Sequence, residues 1–228
     1  MSRPFTFAVD EFYHLYNRGV DKRVVFENNS DYKRFALLLY LCNGNVPVHF
    51  EHLPNWRGST SPELIEMIFG QERGNPLVAV GAYCLMPNHF HLLVREVTKD
   101  GISTFMQKLS TAYTMYFNAG RTRTGALFGG RFKAKHLNTD NQLKYLFSYI
   151  HLNPVKLIVP NWKEAGIKNK DEVKRFLAGY AYSSFMDYAG AKREFLKILE
   201  KRKFPDYFPK KISFENCIND WLTYRDDG

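Results

Sequence analysis

Two histidines separated by one phenylalanine, His89 and His91, open the apolar run HFHLLVREV. In an extended strand alternate side chains share a face, so both imidazoles project together while Phe90 and Leu92 turn to the other side. Two ring nitrogens could then converge on one cation. An isolated pair of this kind is also common as a purely structural feature, but Pro87 and Asn88 set this one at the start of a central strand, where a cleft could open. Further along, Tyr149 and Asn153 stand four apart in YIHLN, which puts phenol and amide one turn apart on one helix face. Asn153 could complete a three-ligand set with the histidines and leave positions open for phosphate oxygens. Mixed nitrogen and oxygen ligation suits Mg²⁺ or Mn²⁺, with Mn²⁺ the more tolerant of nitrogen. On spacing alone, Tyr149 reads as readily as a core ring and Asn153 as the residue that ends a helix before Pro154.

Phosphodiester cleavage is the chemistry such a set would serve. A phenol, with a free pKa of about 10, ionises far more easily than an aliphatic hydroxyl. Its attack on phosphorus gives a covalent phosphotyrosine and releases a 3′-OH, conserving the bond for a later joining step. A metal would polarise the phosphate and stabilise developing charge. No GxxxxGK[ST] phosphate loop is present, and none is needed for such a reaction. A hydrolase using metal-activated water is disfavoured, because no nearby cluster of His, Asp and Glu completes its site.

The elements that must position these groups follow from patterning. FYHLYN over residues 12–17 alternates rings with polar residues and predicts a half-buried strand. DYKRFALLLYLC, 31–42, carries apolar residues at helical spacing behind Asp31 as cap candidate. Residues 43–76 are rich in Gly, Pro and Asn and predict an irregular insertion with one helical patch at 62–69. Residues 77–85 and 89–97 predict an antiparallel hairpin at the sheet centre, and 101–119 a strongly amphipathic helix. Arg131–Leu137 reads as a basic, alternating strand, followed by a helix capped by Asp140 and running to about Leu152. The order predicts an α+β fold: a ferredoxin-like split β-α-β antiparallel sheet with helices on one face and a C-terminal helical tail. Residues 1–160 form the expected catalytic domain and 161–228 an accessory segment, in which KREFLKILEKRKF looks helical.

The chain has 228 residues, enough for one sizeable core, and 32 Lys and Arg against 23 Asp and Glu leave a formal charge of +9. A polyanion, foremost nucleic acid, would answer that excess. Arg18, Lys22, Arg23, Arg131, Lys133 and Lys135 are candidates for phosphate contacts, the last three alternating along one strand; solvated surface cations are the alternative reading. Three cysteines without CxxC spacing argue for reduced thiols rather than a disulfide framework. The N-terminus lacks a long apolar segment and no stretch approaches a membrane span, so a cytoplasmic, nucleoid-associated protein is expected.

Four blocks in order, CLMPNHFHLLV, STFMQKLSTAYTMYFN, GALFGGRFKAKHL and YIHLNPVKL, resemble the single-tyrosine HUH transposases (IS200-like), in particular the REP-associated tyrosine transposase branch. The similarity spans roughly residues 12–160, with a fainter echo at 181–190. The resemblance implies that His89 and His91 are the HUH pair, that Tyr149 forms the 5′-phosphotyrosine link and that Asn153 is the third metal ligand. Relatives often carry Gln at that last position, and Asn fits the REP-associated branch. It further implies nicking and rejoining of single-stranded DNA beside a hairpin, with Mg²⁺ or Mn²⁺, by a monomer or a homodimer. The rival expectation is a domesticated hairpin-binding protein without catalysis. Tyr113 and Tyr116 read as core rings, Tyr145 shares the Tyr149 face, and His151 lies about 200° of helical rotation from it.

Overall fold

The computed structural model describes residues 6–47, 61–208 and 210–223. The first five residues and 48–60 of the insertion lie outside that description. In chain order the elements are β1 (Phe12–Arg18), α1 (Asn29–Leu41), α2 (Pro62–Phe69), β2 (Val78–Met86), β3 (His89–Glu96), α3 (Gly101–Ala119), β4 (Lys133–Leu137) and α4 (Asp140–Leu152). They are followed by α5 (Trp162–Ala165), α6 (Lys170–Gly179), α7 (Phe185–Tyr188) and α8 (Lys211–Thr223).

The four strands form one antiparallel sheet in the order β2-β3-β1-β4, the ferredoxin-like split arrangement expected from the pattern. Register assigns its faces. Tyr13 pairs with Val94 and Leu15 with Leu92, and all four are buried beneath α1 and α3 with Phe35, Leu38, Phe105 and Leu109. On the opposite face Tyr16 lies across from His91, Arg18 from His89 and His14 from Leu93. The outer strands continue this row with Cys84 beside His91, Lys133 beside Tyr16 and Lys135 beside His14.

Helices cover both faces rather than one. α1 and α3 fill the first, as expected, whereas α4 lies over β2 and β3 on the second. There Leu143, Leu146, Phe147 and Ile150 bury their side chains in a second core completed by Trp162, Leu177, Phe185, Phe214, Ile218 and Leu222 of the tail. The sheet is thus an inner layer, which is why β2 is buried along its whole length. The tail also pairs with the β2 edge, through Leu85 N–H to the Tyr182 carbonyl at 2.9 Å, Ser184 N–H to Tyr83 at 3.0 Å and Glu200 N–H to Val80 at 2.9 Å.

Local chemistry fixes the element ends. Asn28, not Asp31, caps α1: the Asn28 amide oxygen accepts from Asp31 N–H while the Asp31 carboxylate accepts from Asn28 N–H, a reciprocal capping box. Thr139 caps α4 by accepting from Gln142 N–H, one residue before the expected Asp140. The strand expected from Arg131 starts at Lys133, because Gly130 adopts φ 110° and its carbonyl is taken by the Asn17 amide. KREFLKILEKRKF forms two 3₁₀ turns, Glu194–Ile198 and Lys201–Lys203, instead of a regular helix. Among the described residues no helix is long and apolar enough to cross a membrane, and Cys42, Cys84 and Cys217 are free thiols.

Candidate active site

β3 leaves a two-residue turn at Pro87 and Asn88, and that turn orients the first imidazole. Asn88 donates its amide Nδ2–H to the Lys22 carbonyl at 3.1 Å, so its Oδ1 faces His89 Nδ1 at 2.7 Å. An oxygen acceptor there puts the proton on Nδ1 and leaves Nε2 as the lone pair. His91 is engaged in the same sense: its Nδ1 lies 2.9 Å from Nε2 of His14, a β1 residue 77 positions away in sequence. The His89 and His91 rings sit 5.0 Å apart at 83°.

The end of α4 brings the other two groups. The Tyr149 ring lies 5.4 Å from that of His91 and 6.1 Å from that of His14, edge-on to both. Asn153 follows at the helix C-terminus and is 1% exposed. Its amide is close enough to His89 to favour that ring's protonated form, yet neither Oδ1 nor Nδ2 has a partner in good hydrogen-bond geometry. An unsatisfied buried amide costs roughly 1–3 kcal/mol, so it calls for a missing partner.

Burial keeps the three imidazoles neutral near pH 7. It pushes His89 down to about 4, with Arg18 and Lys156 adding to the effect, and His14 down to about 4, with Lys135 adding. His91 is held well below the usual histidine range, again chiefly by burial and then by His14, His89 and Lys156. Neutral imidazoles are the ligating form. Among the described residues no three His, Cys, Asp or Glu side chains gather as a metal site. A cation here would therefore rest on two imidazoles and the orphaned Asn153 amide, a set that fits a divalent ion retaining open positions.

The basic candidates divide. Arg18, Lys133 and Lys135 face the same side of the sheet as the histidines. Lys22 occupies a left-handed turn with φ 61° and contributes its carbonyl to Asn88, while Arg131 is exposed ahead of β4. Arg23 lines a different cleft, with Phe117, Arg121 and Arg123. Three groups escaped the sequence reading. Lys156 and Lys163 hold their ammonium groups 5.6 and 5.2 Å from the Tyr149 ring centre. Lys156 was visible as the residue two helical turns after Tyr149, whereas His14 and Lys163 carry no local signal. The decoys are occupied elsewhere: the Tyr113 hydroxyl donates to the Val25 carbonyl and that of Tyr116 to Asp31. His151 is fully buried and bonded to the Ser184 hydroxyl at 2.7 Å.

The site thus consists of paired imidazoles on one face of a ferredoxin-like sheet with the tyrosine of α4 across them. Residues 57–153 match the family model described as transposase IS200 like. A solved structure described as a REP-associated tyrosine transposase bound to a REP hairpin superposes with a TM-score of 0.51. It is 12% identical, and the match covers 85% of this chain and 89% of that one, which establishes a shared fold. No curated protein matches the chain.

Proposed function

We propose that this chain nicks and rejoins single-stranded DNA beside a hairpin, through a 5′-phosphotyrosine formed by Tyr149. The carrying observation is the meeting of Tyr149, His89, His91 and the unpartnered Asn153 amide on one face of the sheet, all from one chain. In this reading the Tyr149 oxygen attacks phosphorus, the P–O3′ bond breaks, and the phenolic proton ends on the released 3′-OH directly or through water. Joining is the reverse attack by a 3′-OH. Lys135, Lys156, Lys163 and Arg18 draw the phosphates in and balance their charge. His89, His91 and Asn153 would hold Mg²⁺ or Mn²⁺, which when bound supplies Lewis-acid polarisation of the phosphate. His14 and Asn88 hold the two imidazoles in the ligating orientation. The structural neighbour was captured on a REP hairpin, which supports a hairpin-bearing strand as substrate and a likeness to the REP-associated branch.

The test is a labelled hairpin oligonucleotide incubated with Mg²⁺ or Mn²⁺ and run on a denaturing gel. A covalent adduct is expected, absent in Tyr149→Phe and retained in Tyr113→Phe, Tyr116→Phe and Tyr145→Phe. An adduct persisting in Tyr149→Phe would move the nucleophile elsewhere, and tight hairpin binding with no adduct would leave a binding protein.

A further inference from the structure

The Tyr149 phenol opens onto a cleft of about 380 Å³ that extends away from the histidine pair. Its sheet wall is His14 and Lys135; its helix wall is Asn141, Gln142, Tyr145 and Tyr149, which recur at three- and four-residue steps along one side of α4. The proposed chemistry at Tyr149 does not use the far end of this cleft. Tyr145 is unusual for so large a ring in being 46% exposed. It is nonetheless braced, edge-on by Trp221 at 5.3 Å and with its plane only 16° from that of Tyr149, 6.2 Å away. A fixed, half-exposed aromatic face beside an ammonium group is the arrangement that takes a nucleobase and its phosphate. Beyond the ring, Gln142 accepts from Asn138 N–H with its Oε1, which leaves its Nε2–H₂ to donate, and Asn141 is exposed.

We infer that this cleft is a nucleobase subsite. The base of the nucleotide next to the cleaved phosphate stacks on Tyr145, Lys135 neutralises the adjoining phosphate, and the Asn141 and Gln142 amides meet the base edge. This rests on the proposed role of Tyr149: a phosphate held at that phenol, which forms one wall of the cleft, has a neighbouring nucleotide within the cleft's reach. The occupant follows from that continuity and from size, since the volume suits one nucleotide rather than a duplex.

The experiment uses the full chain as Tyr149→Phe, which binds without cutting, and a fluorescent single-stranded oligonucleotide carrying the cleavage site. Each nucleotide is replaced in turn by an abasic unit and affinity is read by anisotropy without metal. One abasic position beside the cleaved phosphate should weaken binding about tenfold, within the range expected for one stacked base. The same replacement should cost nothing further once Tyr145→Ala is added, whereas Tyr145→Phe preserves the loss. Thermal melts of both Tyr145 variants should match the parent, because the ring is half exposed. If abasic and Tyr145→Ala effects multiply independently at every position, the subsite is overturned, even where the intact protein forms its adduct. If coupling appears but the intact protein forms no adduct, the subsite stands and the nicking function falls.

Discussion

His91 is held in place by a side chain from another strand, and the sequence offers no local hint of it. The two residues are 77 positions apart, joined only because β1 lies beside β3 in a register that puts Tyr16 opposite His91. His14 Nε2 accepts from His91 Nδ1–H when the His91 Nε2 lone pair is turned to a cation. Partners of this kind typically contribute 10–100-fold to metal affinity. His14→Phe should therefore weaken Mn²⁺ binding at least about tenfold by titration calorimetry or electron paramagnetic resonance. His14→Gln, which restores an acceptor near Nε2, should stay close to the parent. Equal losses in the two variants would make His14 a packing residue only. His151 carries a separate prediction. Burial holds its folded-state pKa down to about 3, against an ordinary value of 6.5, so below pH 6.5 the unfolded chain gains a proton that the folded chain refuses. Stability contributed by the neutral ring is full above that pH and drains away towards pH 3, at up to about 1.4 kcal/mol per pH unit. His14 and His89, both pushed down to about 4, act in the same sense. Urea unfolding between pH 7 and 5 should show a falling free energy whose slope is shallower in His151→Gln; an unchanged slope would mean that His151 is solvated.

The helix that carries Tyr149 is positioned from behind. α4 turns Leu146, Phe147 and Ile150 into the second core, where Phe214, Ile218 and Leu222 of α8 close over it. Phe214 is 1% exposed, and its ring meets those of His151, Phe185, Tyr188 and Phe208. Phe214→Ala should cost about 3–5 kcal/mol in chemical denaturation, through lost burial and the cavity left behind. Adduct formation should also fall under conditions where the variant remains folded, because α4 loses the surface it rests on. Undiminished stability would mean that the tail is merely appended. Elements whose own periodicity determines them were legible: the 101–119 helix and the 62–69 patch match to the residue, and the hairpin at 77–97 to within one. What the pattern could not supply was competition from distant partners. The 194–203 stretch has helical composition, yet Glu200 N–H pairs with Val80 and Gly81 of β2 receives the Phe204 ring, where an added Cβ would lie 2.7 Å from it. Docking against the strand holds that stretch in short turns. The same limit applies to the site: Tyr149 with Asn153 and His89 with His91 were readable as i, i+4 and i, i+2 pairs, whereas their mutual approach depends on α4 crossing the second face of the sheet.

The excess of nine positive charges acts through where it is placed. Arg18, Lys133 and Lys135 line the histidine face, and Lys156 and Lys163 flank the Tyr149 ring. Arg23 belongs to a cleft with Arg121, whose guanidinium is already committed to Glu27 and Asp31 at 2.7 and 2.6 Å. If the five site-facing cations each neutralise one phosphate of a bound single strand, each releases about 0.7 of a condensed counterion, and log K should fall with log salt at a slope near −3.5. Measured without divalent metal, Lys135→Ala should flatten the slope by about 0.7, and Lys163→Ala should do the same. Arg23→Ala, remote from the strand's path, should leave it unchanged. A slope insensitive to Lys135 and Lys163 but reduced by Arg23→Ala would route the DNA over the Arg23 cleft, and the Tyr149 phenol would then have no strand to attack.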